Sequence, residues 1–151
     1  MSQEEIYGTR GMEYSAWHRR LSTGRFVGSE NAQLLAMIDL DVTLYVEYED
    51  GNKKPICLIE VAMDIGQTYK TATVTKNLAE MAGIPAYVVL YKLSEKNNPA
   101  NDKYKDIDGF RTQRLNPNPE GFWTKLTPNE YAHNLLSMRK RVCDEFDSNH
   151  Q

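Results

Sequence analysis

Residues 38–63 constrain the fold of this chain more than any other stretch. Across 38–49 the sequence alternates, with Ile38, Leu40, Val42, Leu44, Val46 and Tyr48 on one side and Asp39, Asp41, Thr43, Tyr45, Glu47 and Glu49 on the other. Period-2 alternation of this length specifies a strand with one packed and one polar face. Asp50-Gly51-Asn52 is a turn signal, and residues 55–63 (PICLIEVAM) form a mostly apolar run of strand length. The pair predicts an antiparallel hairpin.

Glu60 interrupts that second, apolar strand. Burying an unpaired carboxylate costs several kcal/mol, so its position needs a compensating reason. With Asp50-Gly51 as a two-residue turn, Glu49 faces Asn52, Asp41 faces Glu60 and Asp39 faces Ala62. Directly opposed residues on one face crowd their side chains, and like charges so placed repel unless a cation lies between them. Hard oxygen donors of this kind suit Mg²⁺ or Mn²⁺. Taken without Glu60, Asp39 and Asp41 fit equally well the solvated side of a hairpin.

The rest of the chain supplies the covering helices and further strands. Met12, Ala16, Trp17, Arg20 and Leu21 trace one face of a short helix, with Trp17 in the core, and Ser29 caps a further helical turn. After the loop Asp64-Ile65-Gly66-Gln67, residues 71–82 read as a helix with Val74, Leu78, Met81 and Ala82 inward and Gly83 as C-cap. Residues 85–93 (PAYVVLYKL) read as a central strand, joined to 55–63 by a parallel crossover. Residues 94–108 read as a long mobile loop and 110–115 as a further strand. Thr127, Pro128 and Glu130 form a capping box that opens a helix over about 128–146, with Tyr131, Leu135, Met138 and Val142 inward. The whole is expected to be one α/β domain, 1–151, with a mixed central sheet flanked by helices and a core over about 12–93.

A chain of 151 residues with a net charge of −3 is not a generally basic nucleic-acid coat, although a local basic groove survives that total. Its two cysteines, Cys57 and Cys143, stand far apart without a CxxC neighbour and read as small buried hydrophobes. The polar first eleven residues do not read as a secretion signal, and no apolar run suggests a membrane span, so the cytoplasm is the expected location. Glycine-rich phosphate cradles and a GxSxG elbow are absent.

The order helix–strand–strand–helix–strand over about 12–93, with MIDLDVTLYVEYEDGNKKPICLIEVA followed by LAEMAGIPAYVVLY, resembles the PD-(D/E)XK nucleases. The resemblance implies a restriction-endonuclease-like three-layer core and hydrolysis of phosphodiester bonds in DNA, with RNA left open. It implies that Asp41, or Asp39, and Glu60 hold one or two divalent metals, and that Glu13 of the first helix assists. The family's lysine, two residues after the acidic one, orients or deprotonates the attacking water. Here Ala62 stands in that place. The family is known to relocate this lysine to the following helix, which makes Lys70 and Lys76 candidates. Lys70, at the helix entrance, is preferred over Lys76, which falls about 200° round the helix from Val74.

Tyr14-Ser15-Ala16-Trp17-His18-Arg19-Arg20 combines aromatic and basic side chains. Arg19, Arg20 and Arg25 are candidate phosphate contacts, with His18 near the scissile group, and Gln67 is a candidate donor to water or phosphate. Arg111 and Arg114 read as scattered charges. Ala62 also leaves room for a catalytically inactive module of the same fold that binds nucleic acid or a protein partner. A homodimer or larger assembly stays open, as does an unrelated α/β protein with incidental hairpin acids.

Overall fold

The computed structural model describes residues 11–22 and 31–149. Arg25 and the Ser29–Glu30 turn lie outside the described residues. Contacts divide the chain into two compact units, 1–39 and 40–151.

The first unit carries α1 (Glu13–Ser22) and a 3-10 turn (Ala32–Leu34). Ser15 and Ala32 are its buried described residues. Trp17, expected in the core, is 43% exposed and stacks with Tyr14 and His18 along the outer surface of α1. Glu13 lies in the first turn of α1 and Arg19 and Arg20 in its last, each sign at the helix end whose dipole favours it.

The second unit holds a mixed five-stranded sheet in the order β1 (Val42–Glu47), β2 (Lys53–Met63), β3 (Ala86–Asn98), β4 (Asn101–Asn116), β5 (Thr124–Leu126). β2 and β3 are parallel, joined through α2 (Thr73–Ala82), and the other neighbours are antiparallel. α3 (Pro128–Asn149) packs Met138 and Val142 against Val46, Ile59 and Val89 on one face of the sheet. On the other face, Ala79 of α2 meets Leu58 and Ala86 with Ile84. Alternation along β2 separates the two layers, Ile59 facing α3 and Leu58 facing α2. The capping box at α3 is formed as expected, with Thr127 N–H donating to Glu130 Oε1 at 2.9 Å and Glu130 N–H to Thr127 Oγ1 at 3.1 Å. Among the described residues no helix is long and apolar enough to cross a membrane.

Four expectations are corrected. The strand expected over 38–49 is confined to Val42–Glu47. Ile38 and Leu40 stay about half exposed, because Val61 N–H, which a longer ladder would give to a backbone carbonyl, donates instead to Asp41 Oδ2 at 2.9 Å. The turn is a three-residue loop, with Tyr48 N–H bonded to Asn52 O and Gly51 at φ 84°, a left-handed position that glycine takes without strain. That loop shifts the register by one, and a bulge at Ile56 shifts it back, so that beyond it Leu44 pairs with Cys57 and Val42 with Ile59. Helix α2 turns Thr75 and Ala79 inward, while Val74 and Met81, expected inside, are 54% and 86% exposed. The small Ala79 lets the helix approach the sheet closely, which larger side chains would prevent. Finally, the expected loop 94–108 is mostly strand, because β3 and β4 continue past the body of the sheet as a two-stranded arm. That arm has no core face and needs no apolar alternation, which is why its sequence reads as a loop.

The inward face of α2 is testable. Ala79→Leu should destabilise the fold by about 1–3 kcal/mol through overpacking. Met81→Ala should change stability by less than about 0.5 kcal/mol, both read from urea denaturation.

Candidate functional site

The corrected register carries Asp41 and Glu60 to neighbouring positions. Val42 pairs with Ile59, and one step further along the two strands lie Asp41 and Glu60. Glu60 is flanked on its other side by Val88 of the parallel β3. Its side chain, only 17% exposed, sits under the first turn of α2, where Thr75 Oγ1 donates to Oε2 at 3.4 Å. Lys70 Nζ lies 3.6 Å from Oε1. Burial, first, and the Asp41 charge, second, push the Glu60 carboxyl above the ordinary glutamate range, while Lys70 and Thr75 act against them.

Asp41 stands just before β1 with one oxygen committed to Val61 N–H. Its other oxygen makes no hydrogen bond or ion pair to the described residues. Lys76 pairs with Glu80 at 4.0 Å on the outer side of α2 and is not gathered at Glu60. The lysine beside the half-buried Glu60 carboxylate is therefore Lys70, from the segment between β2 and α2.

That segment is fixed by residues to which the sequence reading assigned no site role. Arg111 of β4 grips Asp64 with two bonds, Nε to Oδ2 at 2.8 Å and Nη2 to Oδ1 at 2.7 Å, and reaches Gln67 O at 2.9 Å. The guanidinium lies over Trp123, 5.1 Å from the ring centroid, and Trp123 Nε1 donates to Thr68 O at 3.0 Å. The Gln67 side chain is spent within the loop, donating to Met63 O and accepting from Ile65 N–H. The Arg111 fork and Gly66 N–H hold the Asp64 carboxyl down at about 2. Asp64 and Arg111 are 47 residues apart, and only the β2–β3–β4 pairing brings them together.

The remaining sequence candidates belong to the N-terminal unit. His18 Nε2 donates to Leu35 O at 2.8 Å, which leaves Nδ1 to accept from Tyr14 Oη at 3.4 Å. Asp39, Glu13, Arg19 and Arg20 are carried on the same unit.

Among the described residues no group of three or more His, Cys, Asp or Glu gathers as a metal cage. Asp41 and Glu60 nevertheless fit a hard divalent cation. They are neighbouring oxygen donors, and the Asp41 charge, after burial, raises the Glu60 carboxyl. Mg²⁺ is commonly held by one or two carboxylates, with water and substrate phosphate completing the octahedron. Comparison with known protein families, with curated proteins and with solved structures found no match.

Two outcomes check this geometry. Because its folded-state pKa is raised, Glu60 opposes folding as the pH climbs through the ordinary glutamate range and up to the folded value. Glu60→Gln should therefore raise Tm by a few degrees at neutral pH without divalent metal, and the gain should vanish below that range. Arg111→Lys keeps the charge but loses the fork. It should let Asp64 titrate closer to the ordinary aspartate value and speed amide exchange at 65–70, both followed by NMR.

Proposed function

We propose that this chain is a metal-dependent nuclease of the PD-(D/E)XK type that hydrolyses phosphodiester bonds in DNA. The observation that carries the reading is the surrounding of Glu60. A carboxylate in an apolar strand has Asp41 just before the start of the neighbouring strand and an ammonium, Lys70 Nζ, 3.6 Å away. Aspartate, glutamate and lysine are the residue types the resemblance implies, with Lys70 in place of the lysine that Ala62 displaces.

Asp41 and Glu60 would hold Mg²⁺ or Mn²⁺, which when bound acidifies an attacking water and neutralises charge building on the phosphate. The protein's own groups have separate tasks. Thr75 fixes the Glu60 carboxylate by its hydroxyl. Lys70 orients the water through its ammonium, and its position depends on the loop that Arg111 and Trp123 anchor.

One observation favours a second reading. The Lys70 ammonium already supplies a positive partner to Glu60, so the cluster is also compatible with a structural ion pair in a non-catalytic module. Calorimetric titration with Mn²⁺ separates the two. The nuclease reading expects binding in the native protein and its loss in Asp41→Asn and in Glu60→Ala, with Mg²⁺-dependent cleavage of DNA lost in both. Lys70→Ala should keep metal binding and lower kcat by about 10²-fold or more, whereas Lys76→Ala should stay close to the native rate. A protein that binds no Mn²⁺ supports the module, and cleavage that survives Glu60→Ala overturns the nuclease.

A further inference from the structure

We propose that the recess between α3 and the sheet, on the face away from Glu60, binds a compact organic anion: one phosphate or carboxylate on a ring-sized apolar body. The recess has a volume of about 330 Å³, within the range of small-ligand sites. Ile59, Val89, Leu135 and Met138 give it an apolar floor. Its charged wall is made by Arg114 of β4 and Arg141 of α3, together with Tyr87 of β3.

Neither guanidinium of this wall is neutralised by a carboxylate among the described residues. Arg114 gives Nε to Asn118 O at 3.1 Å and has no carboxylate partner among the described residues. Arg141 makes no hydrogen bond or ion pair to them. The hydroxyls of Tyr87 and Tyr131 make no hydrogen bond among the described residues, and burial pushes the Tyr131 phenol up to about 12 and raises Tyr87 as well. The one carboxylate of the recess, Glu120, accepts the Arg114 main-chain N–H at 2.7 Å. Two guanidiniums against one carboxylate leave a surplus positive charge at one end of an apolar slot. Asn134 and Ser137, on the same helix as Arg141, add donors along the rim. An anion needs both parts: the guanidiniums to neutralise it, and an apolar body to fill the floor.

The anion has two natural sources, a mononucleotide and a ring-bearing carboxylic acid. The inference does not rest on the nuclease reading, since the recess and the carboxylates lie on opposite faces of the sheet. Calorimetry of the full chain in EDTA, with adenosine monophosphate and with 2-naphthoate, tells the sources apart, and inorganic phosphate controls for charge alone. We expect one probe to bind with Kd of about 0.1 mM or tighter, weakened about tenfold or more by Arg141→Ala and by Arg114→Gln. Arg141 is exposed and pairs with none of the described residues, so its replacement should leave Tm unchanged, and Asp41→Asn should leave binding unchanged. The proposal is overturned if neither probe binds below about 5 mM. It is also overturned if both arginine variants bind like the native chain, if phosphate alone binds as tightly, or if Asp41→Asn abolishes the binding.

Discussion

Glu60 is a carboxylate held at 17% exposure in the middle of an apolar strand, and much of the arrangement around it answers the cost of that placement. Helix α2 turns a threonine rather than a larger apolar residue to the sheet, and the Thr75 hydroxyl reaches the carboxylate. The loop before α2 is tied at Asp64, Gln67 and Thr68, so that Lys70 arrives beside the other oxygen. Asp41 acts in the opposite sense, raising the cost of the Glu60 charge. Asp41 also caps the Val61 N–H, and under the proposed nuclease function it is the second acid of a receptor for positive charge.

Lys70 and a divalent cation are two answers to the same electrostatic problem. An ammonium 3.6 Å from Oε1 lowers the cost of the glutamate charge without removing it, since burial and Asp41 together still outweigh Lys70 and Thr75. A doubly charged ion adjacent to both carboxylates would relieve the remainder and free Lys70 for a water or a phosphate oxygen. Under the proposed nuclease function, the network of Arg111, Asp64 and Trp123 is then part of the catalytic apparatus at one remove. It keeps a flexible lysine, delivered from a loop, at the place where a strand-borne lysine would have been rigid by construction.

The sequence made the hairpin, the parallel crossover, Glu60 and the capped C-terminal helix legible, because alternation, turn residues and capping residues are local signals. Its expected alignment of Asp41 with Glu60 agrees with the observed register for a reason that no local signal contains. The loop is one residue longer than expected, and the bulge at Ile56 restores the count. The inner face of α2 differs from that expected because apolar size does not set it: contact with the half-buried Glu60 and close helix–sheet approach place Thr75 and Ala79 inward. The arm of β3 and β4 was misread for the converse reason, since two strands that pair only with each other satisfy their backbone without an apolar face. Thr75 and Arg111 carried no signal at all, because their partners lie 15 and 47 residues away and meet them only through tertiary structure.

The central claim is that Asp41 and Lys70 act together on one buried carboxyl group. Side-chain carbon-13 NMR of Glu60, titrated without divalent metal in the native chain, in Asp41→Asn and in Lys70→Ala, reads that coupling directly. The account predicts a native midpoint above that of an ordinary glutamate, displaced downward when Asp41 loses its charge and upward when Lys70 is removed. A midpoint at the ordinary value, indifferent to both substitutions, would contradict it.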